Sequence, residues 1–80
     1  MVLRITELNG RSLRVEGRLA GAWVDELRQA CERHRPRTLD VRGLQTVDGD
    51  GLKFLRQLAL DGISLERPSG YLAALLAELP

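Results

Sequence analysis

The stretch Leu39-Asp40-Val41-Arg42-Gly43-Leu44-Gln45-Thr46-Val47 leads directly into Asp48-Gly49-Asp50-Gly51-Leu52, and the hydrophobic period changes along it. Leu39 and Val41 alternate with polar neighbours, so Thr38–Val41 is predicted as a short strand with both on one face. Gly43–Val47 has no clean alternation and is predicted as a loop. Asp48 is a good helix N-cap, and Asp50 follows in the first turn, where a carboxylate faces unpaired backbone N–H groups. Leu52, Leu55, Leu58 and Ala59 then recur with a helical period, and Gly62 is the expected stop just past the helix end.

Upstream, Trp23, Leu27, Ala30, Cys31 and His34 form one helical stripe, with Asp25, Arg28, Gln29 and Glu32 opposite. Acids fall in its first turn and Arg33, His34 and Arg35 in its last, which suits the helix dipole, and Pro36 ends it. Leu3 and Ile5 alternate with Arg4 and Thr6, as Leu13 and Val15 do with Arg14 and Glu16. The Asn9-Gly10 step between these runs predicts a hairpin with a type I′ turn. Downstream, Ile63-Ser64-Leu65 reads as a strand, and Pro68-Ser69 opens a helix with Leu72, Leu75, Leu76 and Leu79 as its stripe.

The order β-β-α-β-α-β-α predicts an α/β (α+β-like) fold. An N-terminal antiparallel hairpin joins a small mixed sheet whose later strands pair in parallel through helical crossovers. With 80 residues the chain fits one domain, residues 1–80, which removes only roughly 60–65% of its unfolded surface from water. Cys31 is the only cysteine and His34 the only histidine, which excludes an internal disulfide and a Cys/His metal site. Twelve cations are interleaved with eleven acids for a net charge of +1, and the three aromatics are scattered. This pattern argues against nucleic-acid binding. No apolar run is long enough to span a bilayer, and Met1-Val2-Leu3-Arg4-Ile5 is too broken by charge for a signal peptide, so a cytoplasmic protein is expected.

Two stretches carry a family resemblance. Val15-Glu16-Gly17-Arg18-Leu19 and the helix after it resemble an "L-x-G-x-L" strand with its first helix. Leu39–Leu52 resembles a strand "L-D-L-S-G-V" followed by "D-S-[S/T]-G-L" at a helix start. Both patterns are those of the STAS domain, the module shared by anti-sigma-factor antagonists and the cytoplasmic tails of sulphate transporters, which this chain resembles. The resemblance implies a protein–protein interaction module in signal transduction or transcription regulation. In that family a kinase phosphorylates the Ser or Thr before the signature glycine. Matching Asp48, Gly51 and Leu52 to the signature puts Asp50 at the phosphosite and Gly49 at the preceding Ser, so no hydroxyl lies between Asp48 and Gly51. A phosphate brings a charge of roughly −1.5 to −2 and three acceptors, so Asp50 is a partial and permanent imitation of the modified state. Regulation by Ser/Thr phosphorylation in this loop is not expected.

Other chemistries find less support. Asp48 and Asp50 could hold Mg²⁺ or accept a phosphoryl group, but an N-cap plus a first-turn acid explains both. Cys31 and His34 could form a thiolate–base couple, but both lie on the apolar stripe with no third polar group near in sequence. Trp23 on the same stripe reads as core. The expectation is therefore no enzyme, cofactor or metal. The resemblance places partner contacts on Asp50, Lys53, Phe54, Arg56, Gln57 and Leu60, beside the signature loop of Asp48, Gly49 and Gly51. Leu60 projects among Lys53, Arg56 and Gln57, away from the buried stripe. The resemblance implies an anti-sigma or kinase-like ATPase regulator as partner, or alternatively the ATPase subunit of a lipid-trafficking ABC transporter. The first strand, as a sheet edge, also offers pairing to a second copy.

Overall fold

The computed structural model describes residues 3–77, so Leu79 of the last predicted stripe lies outside the described residues. The elements follow the predicted order: β1 (Leu3–Leu8), β2 (Ser12–Leu19), α1 (Ala22–His34), β3 (Thr38–Val47), α2 (Gly49–Leu60), β4 (Ser64–Glu66) and α3 (Gly70–Ala77). The strands form one sheet in the order β1-β2-β3-β4. β1 pairs antiparallel with β2, and β2–β3 and β3–β4 are parallel. β1 is thus an edge strand.

The hairpin forms without a type I′ turn. That turn needs positive φ at both central residues. Only Gly10 has it (φ 71°), while Asn9 does not.

β3 is the main departure from the sequence reading, because Gly43–Val47 is strand rather than loop. The ten residues of β3 run beside the eight of β2, and the register slips between Arg14 and Glu16 and again between Gly17 and Arg18. Each slip gives β3 one extra residue, a bulge of a kind uncommon in parallel pairs. The inward positions of β3 are therefore Leu39, Val41, Leu44 and the half-buried Val47, spaced 2, 3 and 3 apart. Bulging hides the strand period from a test for strict alternation.

Fourteen apolar side chains from every element except β4 form one core between the sheet and the helices. α1 buries Val24, Leu27, Ala30 and Cys31, a stripe turned slightly from the predicted one. Trp23 sits half-buried at the core margin, and His34 is exposed, its Nδ1 2.9 Å from Glu7 Oε2 on β1. At that end of the helix the facing strand presents a carboxylate, so the imidazole turns outward to it. In α2 the buried set is Gly51, Leu55 and Leu58, with Leu52 half-buried and Ala59 exposed. Gly62 (φ 98°) follows the C-cap Asp61. Its N–H donates to Ala59 O and that of Ile63 to Leu58 O, a Schellman closure. Ser69 caps α3 by accepting from Leu72 N at 3.1 Å, and Leu72 enters the core while Leu75 and Leu76 are half-buried.

Candidate functional site

Both crossover helices start at the carboxyl ends of the strands, and one side chain ties the two starts together. Asp48 Oδ1 accepts from Gly51 N at 2.7 Å, the N-cap bond expected from the sequence. Its Oδ2 accepts from Gly21 N at 3.0 Å, in the turn before α1. The two amides, Gly51 first and then Gly21, hold the Asp48 carboxyl below its ordinary value of 3.8. Asp48 also donates its own N–H to Leu19 O at 3.1 Å. The bridge to Gly21 was not legible in the sequence, because it joins residues 27 apart.

Gly51 has a steric reason to be glycine. A Cβ there would lie 2.6 Å from Leu19 O and 3.0 Å from both Leu19 Cγ and Val47 Cγ1. The first turn of α2 is therefore pressed onto the ends of β2 and β3. Gly49 meets nothing within 4 Å of its own added Cβ. Asp50, between the two glycines, is exposed, and its carboxylate makes no hydrogen bond or ion pair among the described residues.

The contact residues expected from the sequence divide across α2. Asp50, Lys53, Phe54 and Gln57 face a cleft of about 690 Å³ between α1 and α2. Arg56 and Leu60 lie on the other side of the Lys53–Gln57 ridge, around a smaller hollow of about 320 Å³. Leu60 is 70% exposed. Gln57 Nε2 donates to Asp61 Oδ1 at 3.0 Å.

α1 supplies the opposite wall of the cleft, which the sequence reading did not include. Asp25, Arg28 and Glu32 line it above Val24 and Cys31. Arg28 pairs with Asp25, and its guanidinium lies 5.0 Å from the Phe54 ring centroid, a cation–π contact across the cleft. The available signal was the spacing of Asp25, Arg28 and Glu32 beside the apolar stripe, combined with a topology that sets the two helices side by side.

The remaining candidate chemistries can be placed as well. Cys31 is buried and its thiol is pushed up to about 11, first by burial and then by the charge of Glu32. His34 turns away to Glu7, so the two do not form a couple. Both oxygens of Asp48 are engaged by amides, and among the described residues no three His, Cys, Asp or Glu side chains converge where they could hold a metal ion. No described helix is long and apolar enough to cross a membrane. The chain matches no protein-family model, and no curated protein matches it.

Proposed function

We propose that this chain is a non-catalytic protein–protein interaction module of STAS type, docking through the loop and helix from Asp48 to Leu60. The observation that carries the reading is Asp50. It is an exposed carboxylate, unpaired among the described residues, at the N-terminal turn of α2 and at the position matched to the family's phosphosite. A helix start favours an anion there, and a negative charge outside the core is free to be read by another protein. The exposed Lys53 and Leu60 extend this surface along the helix. An anti-sigma or kinase-like ATPase regulator is the partner class that the resemblance favours.

The lack of a hydroxyl from Asp48 to Gly51 supports a second reading of the same surface. A charge that cannot be removed suits a constitutive contact, such as that of an accessory subunit on an ABC transporter ATPase.

The test places a photo-crosslinking residue at position 60 in cells and identifies the captured protein by mass spectrometry. Lys53→Glu should weaken association with that protein while leaving the melting temperature unchanged. If association survives both this change and Leu60→Asp, the α2 surface is not the docking site.

A further inference from the structure

The cleft between α1 and α2 exposes part of the core. Its floor includes Val24, Cys31 and Leu58, which keep 6%, 9% and 5% of their surface in water, whereas Leu27 and Leu55 on the same helices keep none. Phe54 adds a half-buried ring. The rim is charged and unbalanced. Asp25, Glu32, Asp50 and Asp61 stand against Arg28 and Lys53, a net of −2 in a protein whose overall charge is +1. The volume of about 690 Å³ lies in the range of formed binding sites, about 300–1,000 Å³.

The walls restrict what can enter. Beyond their first turns, both are helices whose backbone groups are bonded internally, so the cleft presents no free strand edge. An extended peptide would leave its own N–H and C=O groups unpaired, whereas a helix brings its backbone satisfied. The apolar floor selects an apolar stripe on that helix, and the acidic rim selects cations beside the stripe. The geometry points to a basic amphipathic helix of a partner protein as the occupant, seated between α1 and α2. This rests on the interaction-module reading and deepens it, since it adds α1 to the docking surface and fixes the chemistry of the partner.

The probe is a leucine–lysine peptide patterned as an amphipathic helix, with its leucine–glutamate counterpart as control, titrated into the full ¹⁵N-labelled chain. The basic peptide should shift the amides of Asp25, Glu32, Phe54 and Gln57 and slow alkylation of Cys31 in the cleft floor. Glu32→Lys and Asp50→Lys, both at exposed positions, should each weaken it about three- to tenfold, as expected for reversing one surface charge. Glu66→Lys, on β4, should leave it unchanged. Equal affinity for the two peptides overturns the assignment, as does no binding at millimolar peptide. Shifts confined to Arg56 and Leu60 also overturn it while leaving docking on α2 intact, so the two claims fail separately. Concentration-dependent loss of the cleft signals without peptide would name a second copy as the occupant and overturn it too.

Discussion

Replacing Gly51 by Ala tests the seat of α2, and replacing Gly49 by Ala in the same helical turn supplies the opposite sign. The added Cβ at position 51 would sit 2.6 Å from Leu19 O, about 0.8 Å inside the 3.4 Å at which ordinary contact begins. The obstacle is main chain, which cannot rotate aside as a long side chain would. The helix start must lift away from β2, and the lift strains the 2.7 Å bond from Gly51 N to Asp48. Overpacking of this kind costs about 1–3 kcal/mol, offset by at most about 1 kcal/mol from the better helix propensity of Ala. Because the obstacle is backbone and lies 2.6 Å away, the cost falls in the upper part of that range, about 2–3 kcal/mol, and a net loss of about 1–2 kcal/mol is expected. For a domain of this size it lowers Tm by about 5–15 °C. Gly49 has open space and no positive φ, so Ala there should stabilise by about 0.4–1 kcal/mol through the unfolded chain. Urea and thermal unfolding followed by circular dichroism read both. If Gly51→Ala is as stable as the parent, or if the two changes move Tm in the same direction, the close approach of α2 to β2 is wrong.

The Asp48 bridge carries a pH signature. Its carboxyl titrates lower in the folded chain than in the unfolded one, so its contribution is complete above the ordinary value of 3.8 and fades as pH falls through the depressed folded value. Asp48→Asn should therefore be less stable than the parent near neutrality, and the gap should close in acid; a gap constant from pH 7 to strong acid would refute the bridge. The Cys31 thiol, pushed up to about 11, should be alkylated slowly at neutral pH, with a rate still rising about tenfold per pH unit well past the titration of a free thiol near 8.5. A plateau near 9 would mean that the thiol is not held in the cleft floor.

The elements that the residues announce are those with an unbroken period. β1 and β2 alternate cleanly, and the stripes of α1 and α2 are visible to within a fraction of a turn. β3 is different because its inward residues follow the spacing of a twice-bulged strand, and Gly43 and Gln45 then look like loop. The rotation of α1 toward Val24 has a similar origin. Trp23 and Val24 are both apolar and adjacent, and only the sheet beneath decides which points inward. For the site, Asp48 and Asp50 were legible because an N-cap is local chemistry. The second hydrogen bond of Asp48 and the α1 wall of the cleft were not, since each depends on how distant elements meet.

The registers explain why the proposed docking surface falls on the helices. Across the sheet, Thr6, Arg14, Asp40 and Glu66 lie in one row, and Leu8, Ser12, Thr38 and Ser64 in the next. These positions alternate with the core residues, so they occupy the face away from the helices. That face needs no apolar cover. Arg14 Nε lies 3.7 Å from Asp40 Oδ2, and Thr38 Oγ1 donates to Ser12 Oγ at 2.7 Å. Such a face is stable in water and offers little to bury against a partner. The domain measures 18 Å through its thinnest direction, the depth of one sheet and one helical layer. Among the described residues the apolar interface is therefore the one under the helices, and in the proposed reading α2 serves that interface on one side and docking on the other. Changes at Lys53 or Leu60 touch the proposed docking side alone. A change at Phe54, half-buried against the core, alters both and so cannot separate affinity from stability.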